Sequence, residues 1–211
     1  MKNQNCFILL MLTCILCFNT KNLNAQTAKD VFDQSVGITY LGADFSHAKC
    51  YGESARFSAP EITSKINDVL KNEYEKYNVG EALKKSSVDV KFDMTEKLNA
   101  KISDDNFFTY STSDLNKLKE ADIQKIVSGY NLTGKGVGLI FIIDNLNKTE
   151  AKETIWVTFI NMNSKKIIFT EKLTEKAGGF GIRNYWVKPI YDVIKDMKTS
   201  LFKLWSKKYS E

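Results

Sequence analysis

No polar residue interrupts the stretch from Val137 to Ile143. It is rich in β-branched residues, is bounded by turn-forming residues and ends at Asp144. A continuous apolar run of this length suits a strand buried on both faces. Such a strand needs helices packed on its sheet. Two further strand patterns follow, at 154–161 and 167–173, separated by the polar turns 145–153 and 162–166. Links this short imply an antiparallel meander.

The preceding chain supplies the rest of the sheet and its cover. Val36 to Gly42 alternates loosely and reads as a first strand. Ser58-Ala-Pro-Glu61 reads as a helix start, with Ser58 as the cap and Pro60 in the first turn, where its missing N–H costs nothing. The stripe Ile62, Ile66, Val69, Leu70 and Tyr77 continues that helix, and Gly80 marks an end or break. A short helical turn is expected at 81–85. Val88 to Met94 alternates cleanly and predicts a strand with one wet face. Residues 95–112 carry a loop signal at Ser103-Asp-Asp-Asn106 and a short strand signal at Phe107-Phe108. Ser113 opens a helical region whose apolar side is Leu115, Leu118, Ile123, Ile126 and Val127.

After the meander, Lys176-Ala-Gly-Gly-Phe-Gly-Ile-Arg-Asn-Tyr-Trp186 turns the chain into a last helix. Trp186, Ile190, Val193, Ile194, Met197, Leu201, Leu204 and Trp205 recur there at helical spacing. Pro189 is expected in its first turn, which places the start near Asn184. The order is strand, helix, strand, helix, three strands, helix. The expected fold is α/β with a mixed sheet and helices packed on it.

Residues 1–25 read as a cleaved signal peptide. Lys2 gives the positive end, Cys6 to Phe18 an apolar core and Asn19 to Ala25 a polar exit. A lipoprotein cut before Cys17 would require small residues where Ile15 and Leu16 stand. The expected mature chain, 26–211, is one globular α/β domain, exported to the periplasm or secreted. The net charge of +5 falls by two with Lys2 and Lys21, too mild for nucleic acid, which demands a clustered basic face. No apolar run in the mature chain is long enough to span a bilayer. Cys6, Cys14 and Cys17 leave with the leader, so Cys50 stands alone and no intrachain disulfide can form.

The run Val137 to Asp144, the strand Ile155 to Ile160 and the turn-and-strand Met162 to Phe169 carry a resemblance. In architecture the chain resembles a small exported α/β domain shared by the curli-secretion lipoproteins, the lipoprotein activators of penicillin-binding proteins and the amino-terminal domain of TolB. The element Ala177-Gly-Gly-Phe-Gly-Ile-Arg-Asn-Tyr-Trp186 is similar to one in uncharacterised exported bacterial proteins. The resemblance implies an envelope protein partner and carries no functional residue across.

The glycine turn is the foremost candidate site. Gly178, Gly179, Gly181, Arg183 and Asn184 would hold a phosphate or carboxylate through free helix amides and a guanidinium. The alternative is purely geometric: a positive-φ turn, with Arg183 paired to a local acid. His47 and Cys50, oriented by Asp44, offer an imidazole–thiolate pair, set against an inert cysteine and a surface histidine. Asp104 and Asp105 read as a solvated turn. The tail Lys198 to Tyr209 reads as the end of a core helix rather than a membrane-surface helix. Tyr185, Trp186 and Tyr191 offer an aromatic surface or simple core packing. No catalytic constellation, metal set or cofactor motif is expected. The leading expectation is an exported, non-enzymatic interaction module; the alternative is a binder of small anions at the glycine turn.

Overall fold

A computed structural model describes residues 26–53 and 56–209. The expected leader, 1–25, lies outside the described residues. In chain order the elements are α1 (Ala28–Phe32), β1 (Ile38–Asp44), β2 (Lys49–Tyr51), α2 (Ala59–Asn72), α3 (Val79–Ala82) and β3 (Val88–Val90). There follow α4 (Asp93–Asn99), α5 (Asp104–Phe107), β4 (Phe108–Thr109), a 3₁₀ turn (Thr112–Asp114) and α6 (Glu120–Gly129). The meander is β5 (Val137–Asn147), β6 (Lys152–Asn161) and β7 (Lys166–Lys176). The chain closes with α7 (Ile182–Asp196), a π-helical segment (Met197–Leu201) and α8 (Phe202–Tyr209).

All of β5 is buried, and it is the axis of the sheet. Along one side β6 pairs with it antiparallel over its whole length. The other side is shared by two parallel strands: β1 beside the first half of β5 and β2 beside the second. Outside these lie β3 and β4, also parallel, and β7 is antiparallel to β6 at the opposite edge. The α/β fold and the meander are therefore as expected, and β4 falls at the short strand signal of Phe107-Phe108; β2, α1, α4 and α5 are additions.

Leu139, Phe141, Ile143, Val157 and Phe159 face one side of the sheet, where α2 and α7 bring Ile62, Ile66, Trp186, Ile190 and Val193. Ile140, Ile142, Trp156 and Ile160 face the other, under Ile123 and Val127 of α6. Each such aliphatic side chain, fully buried, contributes about 1.5–3 kcal/mol. Among the described residues no helix is long and apolar enough to cross a membrane.

The start of α2 follows the sequence. Ser58 Oγ accepts the Glu61 N–H at 3.4 Å, and Pro60 sits in the first turn. Asp104 adds a distant partner, its Oδ1 accepting the Ala59 N–H at 2.7 Å. Elsewhere the boundaries move. α2 ends at Asn72, and Gly80 lies inside α3 rather than closing the longer helix. The alternation from Val88 to Met94 stops at Val90, because Phe92 is buried and α4 begins directly after it. α7 begins at Ile182, which puts Pro189 inside the helix rather than in its first turn. Proline there cannot donate to the Tyr185 carbonyl. That carbonyl instead accepts the Gly178 N–H at 3.1 Å, so the glycine turn supplies the bond that the proline removes.

Side-chain amides complete the sheet where strands run out. β3 leaves β1 after Tyr40. Beyond it, Asn67 from α2 accepts the Ala43 N–H at 2.9 Å and donates to the Ala43 carbonyl at 2.8 Å. Asn99 from α4 accepts the Phe45 N–H and donates to the same Ala43 carbonyl, both at 2.9 Å. Thr95 Oγ1 donates to the Leu41 carbonyl at 2.7 Å.

Candidate functional site

The glycine turn divides the expected site residues between two depressions. Gly181, Arg183 and Asn184 line one of about 390 Å³, with Lys65, Asp68 and the exposed ring of Phe180. Gly179 and Gly181 line a second, of about 210 Å³, with Arg56, Glu53, Lys148 and Tyr185. Gly178 lines neither. Its amide is taken by Tyr185, and Arg183 reaches Glu73, with 3.7 Å between Nη2 and Oε1. Gly179 and Gly181 have φ of +110° and +78°, conformations that L side chains rarely adopt. A Cβ on Gly179 would also lie 3.3 Å from the Asn184 carbonyl oxygen.

The smaller depression sits at the carboxyl ends of β2 and β5, where open α/β sheets commonly receive ligands. Lys148 Nζ stands 3.4 Å from the Tyr185 ring centroid and 3.5 Å from Glu53 Oε2. The Trp186 Nε1–H donates to the same Glu53 oxygen at 3.2 Å. Arg56 and Lys148 thus flank the turn with Glu53, a mixed rather than a purely basic surface. Sequence reasoning missed both cations. Arg56 precedes α2 and Lys148 lies between β5 and β6, and only the sheet topology brings them beside residue 179.

The other candidates resolve by burial. His47 is exposed on the link between β1 and β2, whereas Cys50 is buried in the core. Burial pushes the Cys50 thiol well up, reinforced by Glu53 and Glu153, so it stays a thiol and not a nucleophilic thiolate. Asp44 does not orient an imidazole: its Oδ2 accepts the Tyr130 hydroxyl at 2.5 Å and its Oδ1 the Ser46 N–H at 2.8 Å. Asp104 and Asp105 lie in α5. Trp186 is fully buried, and Tyr191 packs edge-on against Tyr77. In α8, Trp205 is buried and Lys208 pairs with Glu171 at 2.7 Å. Among the described residues no three His, Cys, Asp or Glu side chains gather as a metal site.

One carboxyl group stands out. Glu153 is 0 % exposed, and neither of its oxygens has a hydrogen-bond partner. It lies in a cross-strand row with Cys50 and Leu146 on one side and Glu175 on the other. Burial pushes its pKa well above the usual carboxylate range and so favours the protonated form.

A larger groove lies elsewhere, along the outer side of β7. It encloses about 780 Å³, and its floor is six consecutive residues, 167–172. Glu120, Ala121 and Gln124 of α6 form one wall; Lys208 and Tyr209 of α8 form the other. The two helices cover opposite faces of the sheet, so the groove wraps over its edge. The Tyr209 ring stacks on Phe169 with centroids 4.3 Å apart, giving the α8 wall a flat apolar surface. On the α6 side Lys172 pairs with the buried Asp144 at 2.8 Å. Among the described residues, the backbone of β7 has no strand partner beyond β6. Sequence reasoning found β7 but not the groove, since its parts lie far apart in the chain.

No protein-family model matches this chain, and no curated protein does.

Proposed function

We propose that this protein is an exported, non-enzymatic interaction module that works through the groove along β7. One observation carries the reading: an eleven-residue edge strand, with no strand partner on its outer side among the described residues, lies between two helical walls. A free edge is a ready template for another chain, and proteins normally blunt it. Here Lys166, Lys172 and Lys176 discourage indiscriminate pairing, while the walls restrict what can reach the backbone. The inert Cys50 and the engaged Asp44 leave the thiol chemistry without its parts.

The export half of the reading is supported by Lys2, the apolar core up to Phe18 and the exit to Ala25, and by the resemblance to exported envelope domains. Expressed with its leader in a Gram-negative host, the protein is expected in the envelope fraction with Gln26 as its first residue. Recovery in the cytoplasm with Met1 intact would overturn that half.

For the groove, random peptides of about ten residues, the length that spans β7, are panned against the purified chain. The recovered peptides are expected to bind the wild type and to lose about tenfold or more in affinity against Ala121→Arg. Ala121 is exposed on α6, so the long side chain fills the groove without entering the core. The melting temperature should not move. Peptides indifferent to Ala121→Arg would sink the assignment of the working surface.

A further inference from the structure

The two edges of this sheet differ in how their backbone groups are satisfied. At the β1 edge, Asn67 and Asn99 serve the groups that β3 leaves behind. At the β7 edge one amide does the same. Gln124 Oε1 accepts the Ile167 N–H, and its Nε2 donates to the Lys165 carbonyl, both at 3.0 Å. These two backbone groups flank Lys166 on the outer side of the strand. Gln124 therefore makes the two bonds that one residue of an added strand would make, and it occupies the first rung beside β7. Farther along the groove floor, among the described residues, no such amide follows.

Resting on the reading of this groove as the working surface, we infer that its ligand is a single extended peptide segment that adds to the sheet as an eighth strand beside β7. The recognising chemistry is that of a peptide main chain. Exposed edge groups are solvated, and an incoming strand exchanges their water for backbone hydrogen bonds, as in other strand-addition complexes. Residues of an extended segment point alternately to the two faces. Every second residue meets the Tyr209 and Phe169 rings, which suit an aliphatic or aromatic side chain. The intervening residues meet Ala121 and Lys172, beside which a polar side chain is accommodated. The walls favour one strand over a folded sheet edge, whose own covering layer would meet α6 and α8.

The test uses a peptide recovered by panning against the purified chain and two N-methylated versions of it, one methylated at odd positions and one at even positions. Strand addition predicts that one version loses about tenfold per methyl group, while the other binds within about twofold of the parent. It also predicts slowed amide exchange within residues 167–172. If both versions bind like the parent, or both lose equally, strand addition is overturned. The groove itself stands in that case, provided Ala121→Arg still abolishes binding. A dimer of the chain alone with the same protected amides assigns the edge to a second copy and overturns the inference. Recovery of no binder overturns both the inference and the groove reading.

Discussion

Asn67→Leu should lower stability by about 2–4 kcal/mol, more than the loss of an ordinary hydrogen bond. Asn67 is almost wholly buried and holds both backbone groups of Ala43 at 2.8–2.9 Å. Leucine fills a similar volume but leaves the Ala43 N–H buried without a partner. An orphaned buried donor loses its desolvation energy in full, which is why the loss exceeds that of an ordinary hydrogen bond. The Ala43 carbonyl keeps its bond from Asn99. Asn99→Leu should therefore be destabilising in its own right through Phe45, and the double variant should depart from additivity because the two amides share one acceptor. Denaturant unfolding measures both, and for a chain of this size the single variant's melting temperature should fall by about 5–15 °C. A loss under about 0.5 kcal/mol would show that these amides are ornaments of an edge that water can satisfy.

Glu153→Gln should stabilise the protein, and increasingly so as pH rises. Burial favours the protonated Glu153 carboxyl, whereas in the unfolded chain it ionises near 4.5, the ordinary glutamate value. Between those two pKa values the folded state binds one more proton than the unfolded state. Stability contributed by this proton is complete below the unfolded pKa and is lost as pH rises towards the folded one, at about 1.4 kcal/mol per pH unit. Glutamine mimics the protonated form and has no proton to lose. The two proteins should match near pH 4 and diverge progressively as pH rises above it. Glu175 lies directly across the strand pair, and its own pKa is raised by burial and then by Asp196 and Asp192, so ionisation of Glu153 adds repulsion. Glu153→Leu also removes the unpartnered polar atoms and should gain about 1–3 kcal/mol even at pH 4. Unfolding curves for the three proteins between pH 4 and 8 decide the matter. Parallel pH profiles for wild type and Glu153→Gln would show that the carboxyl is solvated or ionised in the folded state.

These two residues also show where sequence reasoning stops. Glu153 sits in a run that reads as a polar turn entering β6. Only the paired positions of β5 and β7, with Trp186 of α7 buried on the same face, reveal that it is enclosed. Asn67 lies among apolar residues of α2, and no local sequence signal singles it out. Its purpose depends on β3 ending opposite Tyr40, a long-range fact. The glycine turn was legible as a turn, but the bond from Gly178 to Tyr185 depends on Pro189 lying deeper in the helix than capping rules suggest.

The sequence by itself determined the α/β class, a central strand at 137–144, the meander after it, the capped start of α2 and the presence of a single cysteine, Cys50, beyond residue 25. All of these follow from local periodicity, turn chemistry or counting. Tertiary structure alone decided that β1 and β2 share one side of β5, that Arg183 turns to Glu73 while Arg56 and Lys148 flank the cleft, and that α6 and α8 wall the β7 edge. The reason is physical. Hydrophobic period reports which face of an element is buried, but not which distant element buries it. Edge satisfaction, burial of a carboxyl group and convergence of cations all depend on that second piece of information.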